Sequence, residues 1–438
     1  MSLIKRIYLF AMRDRIAAAE ITAAEMSKCR GRADIEAYQV FKFNVVWSVA
    51  QQHVPFYQEW QTKFNLPNDI ERLEDLEGWP VLTKSDLRKI DLFKRDDVAE
   101  PTRRLITGGS TGEPVRLPTW DDPMAGVMQT IGRRRYGIKI GDPIFLLWGH
   151  EHLYGTGVKR KLLAYKRRFK DWLAGCERVS AYDLSSDAMH KAYAAFVKSD
   201  ARLVIGFSPA VLAFVRTNRK MGLVCNAGFT PPKAILCTAG PLTDDEKQEI
   251  SDFFDAPVMM EYGSVECGIM AYTRPSDGYY EVFWNTHLLQ AQKQPDGEYK
   301  NLVTRLTNCY VPMIRYDIGD YLDEPDVEHS VLFVRSIKGR PSEMLHFACG
   351  VTFFGALIGD CVKQVPEVIS SQIGVDEANN YLEIRVVANS LLSRESLELI
   401  KNRFSLTVAD ASKLKVRVVQ VEKLFTTVGG KTPRVIRS

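Results

Sequence analysis

Apolar positions recur every three to four residues from Ile4 to about Phe64, among good helix formers such as Ala17, Ala18 and Ala19, with Ile21 following. That spacing predicts helices. A further helix start stands at Thr83, which can cap, with Asp86 three residues later. From about Arg103 to Gly268 the pattern changes. Short apolar runs at Ile144–Trp148, Leu203–Ile205, Ala234–Leu236 and Val258–Glu261 read as strands. The stretches Lys159–Leu173, Ser186–Ser199, Ala210–Met221 and Asp244–Phe254 read as helices between them. Such alternation predicts an α/β sheet with crossover helices. Residues 279–334 are more β-rich, with turns expected at Pro295-Asp296-Gly297 and around Pro312. A smaller α+β unit begins after Gly339-Arg340. The expected architecture is therefore an α/β domain of mixed sheets and flanking helices over residues 1–337. A small α+β C-terminal domain follows over residues 338–438.

A chain of 438 residues can hold more than one core. Its 45% hydrophobic and 26% charged content is ordinary for a globular protein. A formal charge of +4 is too small at this length to argue for nucleic acid. No apolar run has the roughly 18 residues of a membrane span. Arg13, Asp14, Arg15 and Glu20 break up the N-terminal stretch that a signal peptide would need. The eight cysteines are scattered without Cys-x-x-Cys, which favours reduced thiols and a cytoplasmic setting.

Several short patches carry candidate chemistry. Thr107-Gly108-Gly109-Ser110-Thr111-Gly112 lies between the plausible strands Arg104–Ile106 and Val115–Leu117. Glycines let backbone N–H groups approach phosphate oxygens, and the two hydroxyls add donors. It is not a Walker loop, and alone it reads equally as a hairpin turn. Thr238-Ala239-Gly240-Pro241 and Glu261-Tyr262-Gly263-Ser264-Val265-Glu266 each follow an apolar strand, where α/β sheets bind ligands. Tyr262 could stack on a purine, and Glu266 could reach Mg²⁺ on phosphate oxygens. Tyr316-Asp317-Ile318-Gly319-Asp320 sets two carboxylates around a glycine, and Asp320 could accept both ribose hydroxyls. Each of these is also compatible with an ordinary surface turn. Gly429-Gly430 precedes Lys431, a cation that could neutralise charge on an α-phosphate or simply belong to a basic tail.

Taken in this order, the patches resemble the adenylate-forming superfamily of acyl-CoA synthetases and nonribosomal adenylation domains. The likeness is nearer to the phenylacetate–coenzyme A ligase group, especially its capsular-polysaccharide-associated branch. Supporting stretches are Val204–Pro209, Tyr310–Tyr316 and Ile337–Arg340. The resemblance implies an ATP- and Mg²⁺-dependent ligase that makes an acyl-adenylate and passes the acyl group to coenzyme A. It implies that Ser110, Thr111 and Gly112 hold the β- and γ-phosphates, and that Ala239, Gly240 and Tyr262 hold adenine. Pro241, Glu261, Gly263 and Ser264 would line the same nucleotide site. Glu266 would bind Mg²⁺, Asp320 the ribose, and Arg340 the nucleotide at a hinge. Lys431, on a mobile C-terminal domain, would bridge carboxylate and α-phosphate, then rotate away to admit a thiol.

The departures concern the acceptor. Val115 stands where a basic residue usually follows the loop's Pro, and Pro341-Ser342-Glu343 replaces an acidic hinge pair. His346-Phe347-Ala348-Cys349-Gly350-Val351 stands where ligases have a glycine loop. A carrier protein, or an amine or hydroxyl on a sugar, stays open as the acceptor beside coenzyme A. A nucleotide-binding assembly factor without turnover is the non-catalytic alternative.

His150, His152 and Tyr154 fall where the family's carboxylate pocket is expected, as does Phe207. The histidines are equally readable as core or helix-start residues, and His-x-His lacks a third metal ligand. Trp148, Tyr154 and Phe207 permit an aryl acid without requiring one. Cys267, His287 and Cys309 have poor spacing for zinc, and the two cysteines read as buried thiols. Arg133–Arg135 and the basic run Lys159–Lys170 could attract an anionic acceptor or form a solvated face. No stacking platform for nucleic acid is read there. A homodimer is a family-level expectation only.

Overall fold

The computed structural model describes residues 3–106, 115–148, 157–181, 186–223, 230–295, 297–338, 344–355, 357–362, 365, 367–388, 390–408, 410–425 and 435–437. The chain opens with helices α1 (Leu3–Ala11), α2 (Arg13–Met26), α3 (Arg32–His53) and α4 (Pro55–Phe64), then the single turn α5 (Lys84–Leu87). Thr83 caps α5 as its spacing predicts: its hydroxyl accepts from the Asp86 N–H, while Asp86 Oδ2 accepts from the Thr83 N–H at 3.0 Å. Strands β1 (Arg104–Ile106) and β2 (Arg116–Pro118) form an antiparallel pair.

The α/β region follows: α6 (Pro123–Arg134), β3 (Ile144–Leu147), α7 (Gly157–Leu173), β4 (Cys176–Val179), α8 (Ser186–Ser199), β5 (Leu203–Phe207) and α9 (Ser208–Lys220). Next come β6 (Ala234–Thr238), α10 (Asp244–Phe254), β7 (Val258–Ser264), β8 (Gly268–Thr273), β9 (Tyr280–Val282), β10 (His287–Lys293), β11 (Tyr299–Arg305), β12 (Tyr316–Leu322), β13 (Phe333–Val334) and β14 (Ile337–Lys338). The large sheet runs β13-β9-β8-β7-β6-β5-β3-β4, and β4, β3, β5, β6 and β7 are parallel neighbours. A second sheet runs β10-β11-β12-β14.

Alternating side chains of the parallel strands feed two cores. Phe145, Val204, Ile235 and Met260 meet Phe196, Phe214, Phe253 and Phe254 from α8, α9 and α10 on one face. Leu203, Leu236 and Met259 face Met128 and Tyr136 on the other. Each such fully buried side chain contributes roughly 1.5–3 kcal/mol. A third cluster joins α3 and α4 to the β10–β12 sheet, with Trp47, Tyr57 and Tyr310 fully enclosed.

The last described elements are the hairpin β15 (Met344–His346) and β16 (Thr352–Phe354), α11 (Leu357–Val362), β17 (Val368–Asp376), β18 (Tyr381–Ala388), α12 (Arg394–Thr407), β19 (Lys415–Gln420) and β20 (Val435–Arg437). They have their own sheet, β19-β18-β17-β20, and their own apolar cluster around Ile373, Leu382, Ile384 and Phe404. Two flanks of segment 426–434 are fastened to neighbouring residues of β17. Gln372 exchanges two hydrogen bonds with the Phe425 backbone, at 2.9 and 2.8 Å, and Val435 pairs with Ile373.

Candidate active site

The strand order 4-3-5 sends the connection after β3 one way along the sheet and the connection after β5 the other. Such a switch point opens a crevice at the carboxyl ends of the two strands. Trp148 follows β3 and Phe207 ends β5; their rings lie 4.2 Å apart, tilted by 33°. Phe207 also packs against the C-terminal apolar cluster. These are two of the three aromatic residues expected near an acid pocket. His150, His152 and Tyr154 lie outside the described residues.

Directly after Phe207, Ser208 opens α9 and is fully buried. Its hydroxyl lies 3.2 Å from the Thr238 carbonyl and 2.7 Å from the Gly240 carbonyl. Between them Ala239 has φ of 62°, a left-handed conformation that costs a residue with a Cβ on the order of 1 kcal/mol or more. Ser208 thus holds both shoulders of a strained peptide at the end of β6. Pro241 follows Gly240 in the lead to α10. Sequence reading included Ser208 in a supporting stretch and gave it no role. Its signal was a serine directly after an apolar strand.

β7 carries the next group. Glu261 accepts hydroxyl hydrogens from Thr238 at 3.0 Å and Tyr272 at 2.8 Å, one on each oxygen. It therefore braces β6, β7 and β8, and would meet a ligand only through its remaining lone pairs. At Gly263 the pairing with β8 slips, and an added Cβ would fall 2.6 Å from the Gly268 carbonyl oxygen. Only glycine fits this approach. The Ser264 hydroxyl accepts from the Cys267 N–H at 3.0 Å, which folds the chain back toward β8. Glu266 is 9% exposed, and its Oε1 accepts from the Tyr316 hydroxyl at 3.3 Å.

β12 supplies the opposing wall. Lys300 pairs with Tyr321 and Leu302 with Asp317, so Asn301 alone faces residues 318–320. Gly319, with φ of 82°, makes this bulge possible. The bulge separates the two carboxylates. Asp317 is held by Lys300 at 3.1 Å and by the Gly319 N–H at 2.9 Å. Asp320 Oδ2 accepts from the Tyr262 hydroxyl at 3.0 Å. Tyr262 has one hydroxyl hydrogen, so Asn301 must present its NH₂ group to that oxygen, at 2.8 Å. Asn301 Oδ1 then has no partner among the described residues, although fully buried. Tyr262 is only 8% exposed, which leaves a small part of its ring for any ligand. Burial, with Asp320 next to it, pushes its hydroxyl pKa well up. Asn301 was missed by sequence reading; its signal was a lone amide inside the apolar strand Tyr299–Arg305.

The Thr107–Gly112 loop, Arg340 and Lys431 lie outside the described residues. The strands expected to flank the loop are present as β1 and β2. Cys267 and His287 are neighbours, but His287 Nε2 meets the Cys267 carbonyl at 2.8 Å and Nδ1 lies 3.0 Å from the Thr286 hydroxyl. Burial raises the Cys267 thiol to about 12 and Cys309 Sγ turns to the Val311 carbonyl, so these groups face protein partners. Among the described residues, His53, Asp96 and Asp97 could share an ion, but His53 already pairs with Asp96 and Arg95 with Asp97.

No protein-family model matches the chain. Protein CapK of Staphylococcus aureus is 21% identical over 419 residues, spanning 93% of this chain and 90% of that protein. Phenylacetate-coenzyme A ligase of Pseudomonas putida is 24% identical over 386 residues, spanning 79% and 81%. Among solved structures, 2-hydroxyisobutyryl-CoA ligase with 2-HIB-AMP and CoA in the thioesterification state aligns at a TM-score of 0.57 and 16% identity, over 93% of this chain and 91% of that one. Its open conformation aligns at 0.54, over 93% and 92%. In sequence the chain is thus similar to a capsule-associated protein and to a phenylacetate-coenzyme A ligase, and its fold is similar to that of an acyl-CoA ligase.

Proposed function

We propose that the protein activates a carboxylic acid with ATP and transfers the acyl group to coenzyme A. The observation that carries this reading is the convergence of Tyr262, Asp320, Asn301 and Glu266 at the carboxyl end of the sheet, beside the strained Ala239 peptide. A ribose suits Asp320, whose second oxygen can accept hydroxyl hydrogens while Tyr262 orients the first. The Ala239–Gly240 backbone would face adenine, and Asn301 Oδ1 has no donor among the described residues. Glu266 fits Mg²⁺, which typically takes one or two carboxylates and fills its shell with phosphate oxygens and water. The ion would supply charge neutralisation to the phosphates. The Trp148–Phe207 pair would bound the acid, and under the family resemblance His150, His152 and Tyr154 would contribute to its pocket.

In the first half-reaction a carboxylate oxygen attacks the α-phosphorus and pyrophosphate leaves. Lys431 would neutralise the charge there, and Ser110, Thr111 and Gly112 would hold the departing phosphates. In the second, a thiolate attacks the acyl carbon and AMP leaves. The domain of residues 338–438 would turn about Arg340 between the two. Reduced thiols and the use of ATP fit a cytoplasmic setting.

The acceptor has a second reading. The turn 347–351 replaces the ligases' glycine loop. It is closed by the Phe347 N–H to Val351 carbonyl bond at 2.9 Å and tied to Glu377 and Asn380. A turn so fastened supports keeping a carrier protein or a sugar amine or hydroxyl as acceptor.

The test is pyrophosphate release with ATP, Mg²⁺ and a panel of aryl, fatty and amino acids, each with and without coenzyme A. We expect release with at least one acid and a thioester only when coenzyme A is present. Lys431→Ala should bind ATP yet release pyrophosphate about 100-fold more slowly. Full activity in that variant would overturn the mechanism.

A further inference from the structure

We propose that α7 docks the protein on an anionic lipid surface. Leu162, Tyr165, Phe169 and Trp172 are 69%, 75%, 57% and 56% exposed. Their spacing of three, four and three residues sets them in one stripe along the helix. At 100° per residue the stripe covers about a quarter of the circumference. Large apolar side chains so exposed and contiguous mark a contact surface. The Phe169 and Trp172 rings lie 5.8 Å apart, so the stripe is continuous at that end.

The protein holds α7 by a different side. Asp171 faces inward, bonded to Arg178 of β4 at 2.8 and 3.0 Å, with Arg167 at 3.6 Å. This ionic seat leaves the apolar stripe directed outward. Lys166 and Lys170 lie on one side of the stripe and Arg168 on the other, all exposed. Sequence order mixes these basic residues with the aromatics; the helix sorts them into an apolar stripe and two basic margins. That segregation suits a helix lying in a bilayer interface, apolar face among the acyl chains and ammonium groups among acidic headgroups. α1 packs against α7 and exposes Ile7 and Phe10 beside Arg6, which extends the same character.

The charges choose among occupants. A second copy of this chain would bring two sets of Lys166, Arg168 and Lys170 together. Single-stranded nucleic acid would call for bases stacking between the basic residues, and here the two are on separate faces. No helix among the described residues is long and apolar enough to cross a membrane, so the contact is superficial.

The experiment is co-sedimentation of the full chain with vesicles of phosphatidylcholine alone or of equal parts phosphatidylcholine and phosphatidylglycerol. We expect binding to the mixed vesicles, weakened by salt, and little binding to the neutral ones. Phe169→Ser with Trp172→Ser, and separately Lys166→Gln with Arg168→Gln and Lys170→Gln, should each weaken binding at least about tenfold. Both variants should keep the wild-type melting temperature, since every changed side chain is exposed. Failure to sediment with acidic vesicles overturns the proposal, as does binding that both variants retain. A dimer that the Phe169/Trp172 variant dissolves, or tight binding to an oligonucleotide without vesicle binding, would assign the face to those partners instead.

Discussion

The Tyr262 hydroxyl hydrogen goes to Asp320, and its oxygen receives the Asn301 amide. Tyr262→Phe removes both bonds and leaves a buried NH₂ group without an acceptor. The expected cost is about 1–3 kcal/mol in urea unfolding. Under the ligase reading ATP affinity should also fall, by about tenfold in calorimetry. His287 gives a separate test at this scale. Burial lowers its pKa from 6.5 to about 3, so the folded state keeps it neutral. Between those values the unfolded chain binds the extra proton. Its contribution to stability is therefore full above about pH 6.5 and lost as pH falls, by about 1.4 kcal/mol per unit. His287→Gln should unfold with a shallower pH dependence between pH 6 and 4. An identical slope would show that His287 is not the group responsible. Tyr262, Glu266 and Asp320 stood out in sequence as candidates because each lies just past an apolar run or beside a glycine. Asn301, which donates to Tyr262, and Tyr272, which donates to Glu261, did not, since each comes from another strand and only pairing register brings it near.

Elements were more legible than contacts. The limits of α8 and α10 fall where apolar periodicity predicts, at Ser186–Ser199 and Asp244–Phe254. β7 runs on to Ser264, past the expected end at Glu261, because antiparallel pairing with β8 continues it through glycine. β4 escaped notice: Cys176-Glu177-Arg178-Val179 is an edge strand with charged residues and no apolar run. α6 did too, opened by Pro123 and capped by Asp122, whose Oδ1 accepts the Met124 N–H at 2.9 Å. α6 lies close on β8, where a Cβ at Gly132 would be 2.1 Å from the Tyr272 ring. Gly132→Ala should cost about 1–3 kcal/mol by overpacking, measured by thermal or urea unfolding. Because Tyr272 braces Glu261, the same change should weaken nucleotide binding. At the start of α9, Ser208→Ala should relax the Ala239 peptide and lower ATP affinity about tenfold, with melting temperature moving little. Unchanged affinity would remove the Thr238–Gly240 loop from the site.

At the scale of the molecule, the α/β class was foreseeable from the alternation of strand and helix patterns between about Arg103 and Gly268. The bulge in β12 and the order of strands in the large sheet were not, because both depend on pairing between distant segments. The proposed division of labour gives a test here. Deleting residues 435–437 removes β20, which should cut pyrophosphate release about 100-fold while leaving ATP affinity within about threefold. Equal loss of both would show that the two regions are not separable in this way. The fastening at Gln372 and Ile373 has one more consequence. The segment bearing Lys431 leaves and rejoins the protein at consecutive residues of one strand, so its ends form a closed ring with that strand. Lengthening a ring changes its closure entropy only logarithmically, by about 0.6 kcal/mol for each doubling. Added glycines there should therefore spare the fold and instead dilute the ammonium at its target, so that rate would fall smoothly with ring size rather than collapse at the first insertion.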